Sequence, residues 1–229
     1  MTEGCERTKI LAMNDSLTQM NSISIAVLAG GHSRRMGRDK ALLRVGSRTL
    51  LEVVAERVRP FGDDLFVVAT ARAAYEALGF RVVPDLHPGS GSLGGIYTAL
   101  SAARCERCLV VGCDMPFLNP ELLAYMCQLP FDYDALVPVL GGARSDQGND
   151  RTFETLHAIY ARTVLPAIER RIEAGILKIA DLIGDINTRE IDEATVRRFD
   201  PELRSFFNAN TPDDFAFVER ILGHDQNDR

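Results

Sequence analysis

The sequence predicts an α/β domain with a largely parallel sheet. Three observations carry that prediction. Short β-rich runs alternate with helical patterns; one glycine-rich loop follows the first strand and another opens a later helix; and neither an internal repeat nor a clean linker divides the 229 residues.

Taken in order, the first strand spans residues 24–29, in the first sustained apolar stretch, which opens at Ile23. After the first glycine loop, residues 41–45 read as a short extended piece closed by a Gly46-Ser47 turn. Leu50, Leu51, Val54 and Val58 recur at helical spacing and mark the buried face of a helix. Residues 65–69 are the second strand, 71–78 a helix, and 81–83 a third strand ended by Pro84. The loop His-Pro-Gly-Ser-Gly-Ser-Leu-Gly-Gly, residues 87–95, opens a helix reaching Ala103, and 109–112 form the fourth strand. Asn119-Pro120-Glu121 is a helix start, with a capping amide, proline in the first turn and an acid beside it. Residues 135–140 and 155–160 read as strands flanking a polar loop, 141–151. An amphipathic helix covers 164–174 with Gly175 as its stop, and Thr211-Pro212-Asp213-Asp214 caps a last helix through Leu222. Residues 1–20 are polar and read as a disordered extension, with Met20 as an alternative start; 225–229 read as a polar tail, and 21–224 as one domain.

Hydrophobic residues make up 46% of the chain and charged ones 25%, the balance of a soluble protein with a real core. No apolar run approaches the length of a membrane span, and no signal-peptide pattern opens the chain. A net charge of −6 argues against a global basic field for nucleic acid or an acidic membrane. The cluster Arg34, Arg35, Arg38 and Lys40 is therefore a local feature on an acidic body. The five cysteines are irregularly placed and suggest no disulfide framework, which points to a reducing, cytoplasmic setting.

Ligands of open α/β sheets sit outside the carboxyl ends of the strands. Residues 30–40, 85–95 and 113–116 fall at such ends and are expected to lie side by side. Gly30 and Gly31 let backbone N–H groups approach a ligand, and Arg34, Arg35 and Lys40 would add charge-assisted bonds to phosphate oxygens. The loop is not a P-loop: Ala41 stands where Ser or Thr belongs. Asp114, beyond Leu109-Val110-Val111, is placed to hold Mg²⁺ against substrate phosphates or else to cap a turn. Asp85 reads as a partner for a nucleobase edge or a turn cap, and Asn208 and Asn210 as orienters of a polar ligand or shapers of their turn. Gly89-Ser-Gly-Ser-Leu-Gly94 matches the dinucleotide fingerprint, but Pro84 and Pro88 separate it from the preceding strand, where the fingerprint begins directly. Cys105-Glu-Arg-Cys108 has metal spacing with no second pair, so a chance spacing at a helix end is the better reading. The four histidines form no zinc motif, and no nucleophile elbow occurs.

Residues 28–40, Leu-Ala-Gly-Gly-His-Ser-Arg-Arg-Met-Gly-Arg-Asp-Lys, resemble the signature loop of the molybdenum cofactor guanylyltransferases, within the nucleotidyltransferase superfamily. Four further blocks agree in order: Pro84-Asp85 with Pro88-Gly89 and Leu93-Gly94-Gly95; residues 113–118; residues 156–160 with the helix ending at Gly175; and Asn208-Ala-Asn-Thr-Pro212. The resemblance implies a three-layer α/β/α Rossmann-like nucleotidyltransferase fold with a mostly parallel mixed sheet. It implies transfer of GMP from GTP to the phosphate of molybdopterin or the molybdenum cofactor, with Mg²⁺ and release of pyrophosphate. Leu28, Ala29, Gly30 and Gly31 would line the nucleotide; Lys40 and Arg35 would neutralise the triphosphate; Asp85 would read guanine; Asp114 would bind the metal; Asn208 and Asn210 would face the pterin or the metal. Transient contacts with proteins that supply or accept the cofactor would follow. The chain departs from the pattern at Ala69-Thr-Ala-Arg72, where relatives often have Asn, and at Glu154-Thr155, where Glu-Pro is common. The polar loop 141–151 is long enough to cover the pterin. A cytidylyltransferase, another nucleotidyltransferase, a non-catalytic nucleotide-binding regulator and a dinucleotide oxidoreductase are the competing readings.

Overall fold

The structure, a computed structural model, describes residues 22–29, 39–70, 72–141 and 151–224. The expected N-terminal extension and polar tail lie outside them.

Strand β1 (Ser24–Leu28) is the centre of an eight-stranded sheet. It pairs in parallel with β4 (Asp64–Val68) on one side and β6 (Arg107–Gly112) on the other, and β5 (Arg81–Val83) adds in parallel beyond β4. On the far side come β9 (His157–Ala161), β7 (Ala135–Leu140) and β10 (Thr188–Asp192), with the short β8 (Thr152–Phe153) beside β7. Strand β9 is antiparallel to both β6 and β7, whereas β10 is parallel to β7. The sheet is thus mixed but mostly parallel, as expected.

Side-chain alternation along the strands builds two cores, because successive residues point to opposite faces. Ile25, Val27, Val67, Leu109, Val111 and Ile159 bury one face against α1 (Leu50–Val58) and α4 (Pro120–Gln128). Ala26, Leu28, Phe66, Val68, Val110 and Tyr160 bury the other against α3 (Gly91–Ala102), α5 (Leu165–Glu173) and α6 (Ile179–Ile183). Three layers result. Each fully buried Leu or Val contributes about 1.5–3 kcal/mol, so these two faces supply most of the driving force. A third cluster clamps the last helix, α8 (Pro212–His224), through Phe215, Val218 and Leu222 onto Val45, Leu50 and Val53.

Local chemistry sets the element ends. Thr49 and Glu52 form a reciprocal capping box at the start of α1, and Asn119 Oδ1 accepts from Glu121 N and Leu122 N at the start of α4. Gly175, at φ +70, stops α5 as expected. Elsewhere the structure differs from the sequence reading. Residues 40–42 are a 3₁₀ turn rather than extended, because the Asp39 carboxylate caps it; a hairpin of β2 (Arg44–Val45) and β3 (Arg48–Thr49) follows. Strand β6 starts at Arg107, so Cys108 is a buried strand residue and burial pushes its thiol well above the usual range. The strand expected over 155–160 begins only at His157, as β9, and the short β8 precedes it across a gap. Opposite the gap lies Pro138, which accepts from Glu154 N at 2.9 Å but has no N–H to return. Two short helices after Gly175, α6 and α7 (Glu193–Val196), and the edge strand β10 had no reading at all.

Candidate active site

The carboxyl ends of β1 and β6 lie side by side, and the groups that leave them meet. Two residues past β6, Asp114 turns its carboxylate back over the strand end. Lys40, in the 3₁₀ turn, donates from Nζ to Asp114 Oδ2 at 2.6 Å and to Asn210 Oδ1 at 2.9 Å. The Lys40 and Asp114 side chains are each 18% exposed, shielded enough to hold the pair and open enough to meet a ligand.

Each member is held by its backbone. Cys113 N donates to Leu28 O at 3.1 Å and Gly112 N to Leu156 O at 3.1 Å, pinning the approach to Asp114. Ala209 N donates to Asp114 O at 2.8 Å, which brings the 208–210 segment to the strand end. Asp214, in the first turn of α8, accepts from Asn210 N at 2.8 Å and Thr211 N at 2.7 Å. These bonds hold its own carboxyl below the usual carboxylate range and fix the backbone that carries the Asn210 amide. Lys40 is set by its neighbour: Asp39 accepts from Ala41 N through one oxygen and from the Tyr75 hydroxyl through the other. Burial, then Asp39, pushes the Tyr75 phenol up, so it stays a donor.

Glycines make the close approaches here. A Cβ on Gly112 would stand 2.6 Å from Asp114 Oδ1, so only a bare Cα leaves room for the folded-back carboxylate. A Cβ on Gly95 would stand 2.9 Å from Leu28 Cδ1, and one on Gly94 2.7 Å from His87 O. The second glycine-rich loop thus packs the start of α3 onto the end of β1, so Leu28, Lys40 and Asp114 share one rim with it.

Leu28 is buried and Ala29 half-buried, with Ala29 N donating to Val68 O at 2.9 Å. Gly30, Gly31 and Arg35 lie outside the described residues, as does most of the 141–151 loop. Asp85 Oδ1 accepts from His87 N at 3.0 Å and Thr98 Oγ1 at 3.1 Å, so one oxygen shapes its own turn. Asn208 donates from Nδ2 to Phe206 O at 3.0 Å, also within its own turn. Asp39, Tyr75, Gly112 and Asp214 were not singled out as site residues from the sequence; the adjacency of Asp39 to Lys40 was the one signal that pointed to any of them.

The donor set suits a hard divalent ion shared with phosphate. Among the described residues no three His, Cys, Asp or Glu side chains gather as a cage. One carboxylate with an amide oxygen beside it is the arrangement from which Mg²⁺ is completed by water and substrate oxygens. Asp114 Oδ1, free of the Lys40 contact, faces the Gly112 gap. Beside it, burial and then the Asp114 charge push the Cys113 thiol up to about 12, which removes it as a nucleophile. No described helix is long and apolar enough to cross a membrane.

Residues 25–186 match the MobA-like NTP transferase domain family. A protein of Pelotomaculum thermopropionicum named "Probable molybdenum cofactor guanylyltransferase" is 37% identical over 83% of this chain and 88% of its own. One of the same name from Methanosarcina mazei is 34% identical over 88% and 90%. The solved structure of molybdopterin-guanine dinucleotide biosynthesis protein A from Archaeoglobus fulgidus superposes with a TM-score of 0.70 at 34% identity, covering 88% of this chain and 99% of that one. A 2-C-methyl-D-erythritol 4-phosphate cytidylyltransferase from Thermus thermophilus, 20% identical with a TM-score of 0.64 over 87% and 98%, shares the fold.

Proposed function

The chain belongs to the MobA-like NTP transferase family, and from that premise we propose that it transfers GMP from GTP to the phosphate of molybdopterin or the molybdenum cofactor. The observation that carries the reading is the meeting of Lys40, Asp114 and Asn210 at the shared end of β1 and β6. An oxygen of the acceptor phosphate attacks the α-phosphorus of GTP and forms a P–O bond. The bond from that phosphorus to the β-phosphate bridging oxygen breaks, and pyrophosphate leaves with the electron pair. The attacking phosphate is already ionised at neutral pH, so no general base is needed, in keeping with a site that holds no His–carboxylate pair among its described residues.

Catalysis then rests on position and charge. Lys40 moves its ammonium from Asp114 onto triphosphate oxygens, aided by Arg35, while Leu28, Ala29, Gly30 and Gly31 line the nucleoside and phosphates. Asp85 offers its second oxygen to the guanine edge. Asn210, and Asn208 beyond it, face the acceptor. Asp114 would hold Mg²⁺, which would supply charge neutralisation for the reacting phosphates. The cytoplasm is the proposed setting, supported by the unpaired Cys105, Cys108, Cys113 and Cys127, with transient contact to proteins that deliver or accept the cofactor.

Pyrophosphate release from GTP and molybdopterin tests this. Asp114→Ala abolishes it with an unchanged melting temperature, and Lys40→Ala lowers turnover by about 10²–10³-fold. Near-normal turnover of Asp114→Ala would remove its metal role. Calorimetric titration with GTP, CTP, ATP and NAD comes first: preference for CTP would move the protein to cytidylyl transfer, and binding of NAD alone would overturn the reading.

A further inference from the structure

The gap between β8 and β9 opens onto a cavity of about 500 Å³ that the chemistry above does not use. Its walls include Glu154, Leu140, Phe206, Phe207 and Phe217, with Arg204 at the rim, ion-paired to Glu202. The aromatic wall is braced. Phe207 and Phe217 pack on each other and on Phe117 with ring centroids 5.2–5.9 Å apart, and His157, fully buried, supports Phe206 from beneath at 5.0 Å.

Glu154 is the anomaly. Its backbone is fixed at both ends, N–H to Pro138 O and carbonyl to His157 N at 3.0 Å, yet its carboxylate has no partner among the described residues. Burial pushes that carboxyl up to about 6. A half-buried acceptor with no protein donor among the described residues, beside aromatic rings, is left open to a ligand that brings its own donors.

Shape, chemistry and location say what does. A carboxylate facing the cavity repels phosphate, so this is no second cradle for a triphosphate. Aromatic rings beside a two-oxygen acceptor suit a flat fused heterocycle with two neighbouring N–H donors on one edge. Asn210, which bonds Lys40, is three positions beyond Phe207, so their Cα atoms are at most about 11 Å apart by chain reach and the cavity wall adjoins the segment that carries Asn210. A ring seated there can present a phosphate arm to Asp114.

We propose that this cavity seats the pterin ring of the acceptor, Glu154 accepting the ring's 2-amino and N3 hydrogens while Phe207 packs on its face. The assignment rests on the guanylyltransferase reading. It commits Glu154 to recognising the acceptor.

The probe is 6-hydroxymethylpterin, whose fluorescence is quenched on stacking, titrated into the full chain, with GTP and Mg²⁺ titrated separately by calorimetry. Glu154→Gln keeps the shape but presents an amide donor; it weakens pterin binding at least tenfold and leaves GTP affinity within twofold. Phe207→Leu weakens pterin binding likewise. Equal pterin affinity in Glu154→Gln and wild type overturns the assignment while a retained GTP preference leaves the guanylyltransferase reading standing. Guanine shares the same donor edge, so a loss of GTP affinity in Glu154→Gln would instead give Glu154 to the donor base and overturn the proposal. Failure of the wild type to bind GTP at all overturns the underlying reading.

Discussion

At the scale of single residues, the fate of a polar group depends on which end of a strand it occupies. Asp64 and Asp114 are both carboxylates beside apolar runs. Asp64, at the amino end of β4, is surrounded by Ser24 Oγ, Arg81 and the Arg104 amide, and is structural. Asp114, at a carboxyl end, has one charged partner and an open side. That contrast follows from strand direction, which the sequence reading supplied for Asp114, whereas the partners of Asp64 come from residues 17 to 40 apart and were invisible. His157 was equally opaque, because a histidine's burial depends on what covers it. Burial holds its imidazole down at about 4, against the pull of Asp200. As pH falls from about 6.5 towards that value, the unfolded chain takes up a proton that the folded chain refuses, so stability present at pH 7 is lost. The full effect is about 3 kcal/mol. Glu154 works the other way, losing stability as pH rises from its ordinary range to about 6, but its smaller shift and partial exposure make it the lesser effect. His157→Phe should therefore gain about 3 kcal/mol on wild type between pH 7 and pH 4 in urea denaturation; a constant gap between the two would show that the ring is protonated in the fold.

At the scale of elements, alternation and capping made most strands and helices readable, since both are local. The miss at β10 has a physical cause: Thr-Arg-Glu-Ile-Asp buries only Ile191, and the strand exists because β7 offers a parallel edge. The 3₁₀ turn at Lys40 was lost for a related reason, because its cap, Asp39, is itself held by Tyr75 from a distant helix, α2 (Arg72–Glu76). That turn and the β6 exit are the two elements that aim the site. Gly112→Ala puts a methyl group where the Asp114 carboxylate now lies. The expected outcome is a stability loss of about 1–3 kcal/mol with pyrophosphate release reduced more than tenfold. Unchanged release would mean that Asp114 acts from another rotamer.

At the scale of the molecule, one continuous sheet carries both cores, and the third cluster ties α8 to β2 and α1. Heating should therefore give one calorimetric transition, with calorimetric and van't Hoff enthalpies equal and a midpoint raised by GTP with Mg²⁺. Two resolved transitions would mean that the β7, β9 and β10 half unfolds by itself. That half owes its layout to the reversal of β9. A strand running with its neighbours would leave its entry at the opposite rim; β9 brings its entry, beside Glu154, to the rim where β1 and β6 exit. The exits feed crossovers whose helices are embedded in the cores, whereas this entry is held by single backbone bonds, from Glu154 N to Pro138 O on one side and from Gly112 N to Leu156 O on the other. One side of the rim is thus built from core helices and the other from a loop.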